Sequence, residues 1–589
     1  MSNVPPASAA LPASSAPTAP LLAPLHRRMT RGPLTPRMAA LVIALWVAIA
    51  GNLSLWTELH KLAGENELGR NPLLLGGTIF LAAYGAIATV LSGFTGRRIF
   101  KPAMLVLLIL TGCVQHFMIA YGTVMDPGMV ANVLQTNTTE ARDLLGLDML
   151  GQCLLVAGPP MIWLWRLRLA PQRGWAAVWR NLVMVLVLLA LTVGVTLSMY
   201  RELAPLLRNH LELRFAVNPV STLVSTVSAV TKPLRKSRNG PLVKMTAGAA
   251  LGPSYAAAAA AGSTARPPLF LLVVGETARA DHFALNGYPR DTTPELAKRD
   301  VISFTEVRSC GTNTLHSVPC MFSPLGKAGW ESRKAETENL LDVIQAAGLA
   351  VLWVDNQAGC KGVCERVPNM STEKPFAPAA DAAAKLCADG ECLDRVMLAG
   401  LDERIATLPA ERRAKGVVLV MHMMGSHGPA YWRRSAPDTK RFAPECATQA
   451  LSQCEHQDLI NVYDNSIAET DRFLGAAIDW LKARDDRYAP AMLYLSDHGE
   501  SLGEYGIYLH GVPYAFAPEV QKHVPMVFWM DKQFAARGGT DEACLRKRRD
   551  EALSHDNLYP SVLGLMDVTT PTYKPALDAF APCRGKSGA

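Results

Sequence analysis

Two kinds of apolar run divide this chain. In the first 200 residues, the stretches 38–56, 73–94, 104–121, 149–165 and 182–199 stay apolar for about the length a helix needs to cross a bilayer. From residue 269 onward the runs shorten to 269–274, 350–354, 417–421, 491–495 and 524–529, which is strand length, and helical patterns at 339–347 and 459–482 separate several of them. Short buried strands alternating with helices predict an α/β sheet, largely parallel. The expected fold is an N-terminal membrane domain of five transmembrane helices followed by a C-terminal α/β domain.

Between these halves, residues 201–230 mix apolar and charged positions at helical spacing and are broken at Asn218-Pro219, a pattern suited to a membrane interface. A basic cluster and an Ala/Gly run to about residue 265 then read as a linker. The expected organisation is a disordered tail at 1–36, a membrane domain at 37–200, interfacial helices and linker at 201–266 and a catalytic domain at 267–589.

Charge decides the orientation. Arg97, Arg98 and Lys101, and then Arg166, Arg168, Arg173 and Arg180, lie in alternate loops, while the other loops carry Glu58, Glu65, Glu67, Asp126, Glu140 and Asp143. Under the positive-inside rule the N-terminus is cytoplasmic, and an odd number of spans puts the C-terminal domain outside. Because the cations cluster beside apolar segments, the net charge of +7 is no sign of nucleic-acid binding. Ten of the 12 cysteines fall in near pairs, Cys310 with Cys320, Cys360 with Cys364, Cys387 with Cys392, Cys446 with Cys454, and the wider Cys544 with Cys583. Such pairs read as disulfides formed in an oxidising compartment, which agrees with the charge reading.

Candidate chemistry gathers at the ends of the short runs: Glu276 after the first, Asp355 after the second, His422 and His427 near the third, Asp497 and His498 after the fourth. Open α/β sheets place their sites at the carboxyl ends of strands, so these groups can converge. Glu276, Asp497 and His498 form a set of zinc ligands, and a threonine oxygen of the Cys310 loop, activated by the metal, can complete it as nucleophile. Spacing does not choose between Thr314, Thr312 and Thr277. Glu500 suits a supporting role behind the ligands, and Lys361, His427 and His510 suit phosphate recognition or a second metal. The loop through Asp126, Asn132, Thr136 and Glu140 is polar enough to meet a lipid head group.

Several of these motifs resemble one family. Val274-Gly275-Glu276-Thr277-Ala278-Arg279-Ala280-Asp281-His282, Asn286-Gly287-Tyr288, Thr292-Thr293-Pro294, the 309–320 loop, Gly425-Ser426-His427-Gly428-Pro429, Ser496-Asp497-His498-Gly499-Glu500-Ser501-Leu502-Gly503 and Leu509-His510-Gly511 are similar, in order, to motifs of the lipid A phosphoethanolamine transferases of the colistin-resistance type. The Pro/Ala-rich tail lies outside the resemblance, and the Ala/Gly linker is longer than expected. The resemblance implies an alkaline phosphatase/sulfatase-like domain, Thr314 as nucleophile, zinc on Glu276, Thr314, Asp497 and His498, and Lys361, His427 and His510 as substrate or second-zinc residues. It implies one zinc with room for a second, and the 126–140 loop facing lipid. The implied partners are a phosphatidylethanolamine donor, a lipid A or lipopolysaccharide acceptor and the inner membrane, with the chain acting as a monomer and conferring polymyxin resistance. A sulfatase would need Cys or Ser in a C/S-x-P-x-R setting, which Cys310 and Cys320 lack. Transfer to another periplasmic acceptor, hydrolysis by a membrane-anchored phosphodiesterase and a non-enzymatic membrane sensor are the competing readings. The last is disfavoured because the spans carry almost no ionisable residues.

Overall fold

The computed structural model describes residues 33–585 apart from 66–67, 69–70, 97, 137–140, 143, 173, 238–240, 260–264, 373–379 and 389. The tail at 1–32 and Glu140 therefore lie outside the described residues. In the membrane half, α1 (Pro36–Ala50) and α2 (Leu53–Gly64) form a pair bent by 48°. They are followed by α3 (Pro72–Ser92), α4 (Phe100–Ala120), α5 (Pro127–Gln135), α6 (Leu147–Arg166) and α7 (Trp175–Ser198). Among the described residues four helices are long and apolar enough to span a bilayer, and the bent pair, taken as one span, makes a fifth. The bend has a polar cause: buried Asn52 donates to Val47 O at 2.8 Å and to Asn218 O at 2.9 Å, while Asn218 N donates to Asn52 Oδ1 at 2.7 Å. Away from water, both amides need these partners.

The segment 126–140, read from the sequence as a loop, begins with the helix α5. Asp126 caps α5, accepting from Met129 N at 2.7 Å, and Pro127 stands in its first turn, where a missing N–H costs nothing. The mixed stretch after the fifth span forms α8 (Tyr200–Asn209) and α9 (Val220–Ser237), and Ser225 Oγ on α9 donates to Met125 O at 2.8 Å.

The C-terminal half is an eight-stranded sheet: β1 (Pro268–Gly275), β2 (Ile302–Arg308), β3 (Ala350–Asp355), β4 (Asn369–Ser371), β5 (Val417–His422), β6 (Ala489–Ser496), β7 (His523–Met530) and β8 (Leu553–Ser554), in the order β8-β2-β7-β6-β1-β5-β3-β4. The central strands β6, β1, β5 and β3 are parallel, while β7 runs antiparallel to both β6 and β2. Strand β2 escaped sequence reading because Thr305 and Glu306 break its apolar run, and the exposed Glu306 faces solvent. Every residue of β1 is buried. Alternation sends Phe270, Leu272 and Val274 to one face, with α10 (Thr314–Met321) and α11 (Leu340–Ala347), and Leu269, Leu271 and Val273 to the other, with α12 (His456–Lys482).

All five cysteine pairs named above are bonded. Part of the segment read as linker is docked on this domain. Ala250 and Leu251 pair with Thr569 and Val568, Glu338 accepts from Met245 N at 2.8 Å, and Tyr255 Oη donates to Met566 O at 2.8 Å. Bundle and catalytic domain also touch: Tyr508 N donates to Tyr121 O at 2.9 Å, and a side chain at Gly511 would meet Met129 Cε of α5 at 2.7 Å.

Candidate active site

Parallel strands deliver the site. Glu276 follows β1, Asp497 and His498 follow β6, and His422 ends β5, so the sheet's register places them side by side at its carboxyl edge. Thr314 arrives at the first turn of α10, whose N-cap Asn313 accepts from His316 N at 3.0 Å. The Cys310–Cys320 bond ties the approach to this helix to its last turn. Ser317 Oγ donates to Asp497 O at 2.5 Å and accepts from Gly311 N at 3.1 Å, joining helix, loop and β6 edge.

The Thr314 hydroxyl donates to Glu276 Oε1 at 2.9 Å and lies 3.4 Å from His498 Nε2. The other two threonines are turned to backbone: Thr312 donates to Val512 O at 2.6 Å and Thr277 to Glu276 O at 2.8 Å. His498 Nδ1 is 2.9 Å from Gly499 O, so Nδ1 carries the proton and Nε2 is left as a ligand atom. That Nε2 is 3.2 Å from Glu276 Oε1 and 3.3 Å from Asp497 Oδ2.

Two carboxylates and an imidazole buried together create an electrostatic problem. Burial pushes the Asp497 carboxyl up and the Glu276 charge pushes it further. Burial drives the His498 imidazole down, but Asp497 and Glu276 outweigh it and raise its pKa. Both shifts favour a bound proton in the cluster, the Asp497 shift by neutralising a carboxylate and the His498 shift by keeping the imidazole cationic. Among the described residues, Glu276 Oε2 and Asp497 Oδ2 have no hydrogen-bond partner, nor has His422 Nε2, which is 3.9 Å from Glu276 Oε2. Glu276, Asp497 and His498 place ligand atoms within 4.8 Å of one another. Oxygen, oxygen and nitrogen donors with orphaned, buried lone pairs fit a divalent zinc ion.

His427 and His510 stand next to this cluster. Their rings are 5.1 Å apart, and His510 lies 4.4 Å from the His498 ring. Glu276 with His427 and His510, and His498 with Glu500 and His510, are two further groups with metal-binding geometry. Glu500 accepts from Tyr431 Oη and lies 2.8 Å from His510 Nδ1, which orients that ring. Lys361 donates its ammonium to Ala358 O at 2.9 Å, beside the Cys360–Cys364 bond. Asp126 caps the start of α5, Asn132 lies on it, and Thr136 caps its end.

Two strand-end candidates, His422 and Asp355, stand behind the ligands, while Trp353, Tyr463 and His555 are supports that sequence reading missed. His422 Nδ1 is held 3.1 Å from Asp355 Oδ2, which Trp353 Nε1 also bonds at 2.8 Å, so a buried chain backs Glu276. Tyr463 Oη donates to Thr277 O at 2.7 Å and accepts from Arg279 N at 3.0 Å. His555 accepts from Cys310 N at 3.0 Å and donates through Nε2 to Ser496 O at 2.9 Å, linking the nucleophile loop to β6. No local pattern marks Tyr463 and His555, because each lies far along the chain from the group it supports.

His555 yields a pH prediction. Burial drives its pKa down to about 3, against about 6.5 in the unfolded chain. Between those values only the unfolded state takes the proton, so stability is lost as pH falls from about 6.5 toward 3. His555→Gln is expected to cost stability at pH 7 yet flatten the acid limb by about one proton. Thermal melts of both proteins from pH 7 to 4 check this, and identical slopes would remove His555 as the cause.

A sheet carrying this cluster at its carboxyl edge, joined to an apolar helix bundle, defines a membrane enzyme of the alkaline phosphatase and sulfatase type. The family model described as sulfatase matches residues 268–568, and that described as phosphoethanolamine transferase EptA/EptB matches 82–234. Phosphoethanolamine transferase EptA of Salmonella typhimurium is 36% identical over 564 residues, covering 95% of this chain and 99% of the relative. Phosphatidylethanolamine transferase Mcr-1 of Escherichia coli is 38% identical over 506 residues, covering 84% and 89%. The integral membrane lipooligosaccharide phosphoethanolamine transferase A of Neisseria meningitidis superposes with a TM-score of 0.83 at 32% identity, covering 94% of this chain and 99% of that one. The chain belongs to the phosphoethanolamine transferase family.

Proposed function

We propose that the protein moves phosphoethanolamine from phosphatidylethanolamine to a phosphate of lipid A through a phosphothreonine at Thr314, releasing diacylglycerol. The observation that carries this reading is the Thr314 hydroxyl, buried and aimed at Glu276 at 2.9 Å with His498 3.4 Å away. The name of the meningococcal relative, a lipooligosaccharide phosphoethanolamine transferase, supports an acceptor of this class.

In the first displacement the Thr314 oxygen bonds to phosphorus while its proton leaves toward the Glu276 carboxylate. The bond from phosphorus to the diacylglycerol oxygen breaks, and that oxygen takes a proton on the side where His427 and His510 stand. In the second, an oxygen of the acceptor phosphate attacks the same phosphorus, the Thr314 bond breaks, and the hydroxyl regains its proton. Glu276, Asp497, His498 and Thr314 would hold a zinc ion, whose Lewis acidity, which lowers a bound water's pKa from about 15.7 toward 7, would act likewise on the hydroxyl. His427 and His510 face charge developing on the phosphoryl oxygens, or hold a second zinc with Glu276. Asp126, Asn132, Thr136 and Glu140 serve the lipid head group, and Lys361 a phosphate that reaches the rim.

The cation distribution of the loops and the five disulfides support an inner-membrane protein with a cytoplasmic N-terminus and a periplasmic catalytic domain. The proposed units are the tail at 1–36, the membrane domain at 37–200, the interfacial segment at 201–266 and the catalytic domain at 267–589, acting as one monomer. Adding an ammonium group to lipid A reduces its negative charge and its attraction for polymyxin. The test is intact mass of lipid A from Gram-negative cells expressing the chain. An added phosphoethanolamine is the expected result. Unmodified lipid A, with the protein present in the membrane, would exclude this acceptor.

A further inference from the structure

A cavity of about 710 Å³ lies between the ends of α2 and α4 and the catalytic domain, within the size range of small-molecule sites. It shares a wall with the reaction centre. Val512 lines it and accepts the Thr312 hydroxyl at 2.6 Å, and Gly511, next to His510, donates to Thr312 O at 2.7 Å. None of Glu276, Thr314, Asp497, His498, His427 and His510 lines it, so it is a compartment separate from theirs.

Its walls suit a sugar better than a phosphate. Glu58, Glu65 and Glu212 bring carboxylates that accept hydroxyls and amide N–H groups, and Lys61 and Thr57 bring donors. Lys61 lies 3.8 Å from Glu58 and His210 lies 3.2 Å from Glu212, so the basic groups of the cavity are already matched to carboxylates, which leaves a phosphate to the histidines of the reaction centre. Tyr505, 84% exposed, adds an aromatic ring to the rim, whose face matches the C–H face of a pyranose.

Two independent observations mark a built site. Thr123 lines the cavity at 9% exposure, and its Oγ1 has no hydrogen-bond partner among the described residues, a cost that a ligand hydroxyl would relieve. Tyr505 is held at φ 56°, ψ 21°, a left-handed conformation that a bulky side chain rarely adopts. Its neighbours enforce it: Glu504 is paired with Arg279 at 2.6 Å and accepts from Leu502 N at 2.7 Å, and Gly503 N donates to Ile507 O at 2.9 Å.

We propose that this cavity seats the sugar head group of the acceptor, an acylated and phosphorylated amino-sugar disaccharide, and aims its phosphate at the phosphothreonine. The inference rests on the functional reading above and assigns it an acceptor subsite. The test uses the full-length protein in detergent micelles with labelled phosphatidylethanolamine as donor and diphosphoryl lipid A as acceptor, each varied in turn. Tyr505→Ala and Glu58→Gln are each expected to raise the acceptor KM about tenfold, the loss of one good contact, without raising the donor KM. Tyr505→Phe, which keeps the ring, is expected to retain the acceptor KM. Thermal melts confirm that each variant is folded, as expected for an exposed Tyr505. An unchanged acceptor KM in both variants overturns the inference, and so does a donor KM that rises with the acceptor's, which would assign the cavity to the donor. No transfer by the wild-type protein removes the functional reading and this inference together. Wild-type transfer with unshifted variants removes the inference alone.

Discussion

Thr314→Ala is expected to abolish transfer, by at least on the order of 10⁴ in rate, while the protein stays folded. The size follows from the role: removing a covalent nucleophile removes the whole two-step path, and losses of this order are usual for such residues. The fold should survive because the change deletes one hydroxyl and one methyl at the start of α10, where Asn313 still caps the helix and the Cys310–Cys320 bond still ties it. Neither Thr312 nor Thr277 can substitute, since their hydroxyls are committed to Val512 O and Glu276 O. Diacylglycerol release from labelled phosphatidylethanolamine is the cleanest measurement, because it reports the first displacement without any acceptor. Thr314→Ser, which restores a hydroxyl, should recover part of the rate. Turnover by Thr314→Ala within tenfold of wild type would move the nucleophile to another residue.

The second large effect is expected from Glu276→Gln, which keeps the shape of the side chain and removes its charge. Glu276 accepts from Thr314, touches His498 and offers a ligand atom to the cluster, so one substitution weakens both metal binding and the proton's exit. A loss of activity on the order of 10³ is expected. Metal analysis gives a readout apart from rate: wild-type protein should retain zinc through dialysis and Glu276→Gln should not. Thermal shift gives another. Zinc at about 100 times its Kd stabilises the protein that binds it by about 2.7 kcal/mol, and Glu276→Gln should show none of this shift. Chelation should reproduce the effect in wild type, and zinc should reverse it. Full activity and an unshifted melt after complete metal removal would rule out a zinc role.

How much of this was visible beforehand depended on the range of the interaction involved. The membrane spans and the central strands could be read because each is a continuous apolar run whose length alone separates a bilayer helix from a buried strand. Strand β2 could not, since Thr305 and Glu306 interrupt its run, and what makes it a strand is its pairing with β7, more than 200 residues away. The antiparallel direction of β7 was invisible for the same reason: an apolar run does not state which way it points. At 126–135, Asp126 and Pro127 are a helix-start signal, hidden by the polar composition that suggested a loop.

In the site the same division holds. Residue types at strand ends fixed the donor set of Glu276, Asp497 and His498, because parallel strands bring their carboxyl ends to one edge. The choice among three threonines needed the tertiary structure, since it depends on which hydroxyl is already bonded to backbone.

The sequence by itself determined the two-part architecture, the oxidised cysteine pairs and the chemistry available at the sheet edge, because these follow from apolar run length, residue spacing and strand direction within a common α/β plan. Only the tertiary structure decided that Thr314 faces Glu276, that His555 and Ser317 hold its loop, and that a cavity at the bundle ends shares a wall with the site. Those features are contacts between distant segments, set by how helices and strands pack, and no local pattern encodes them.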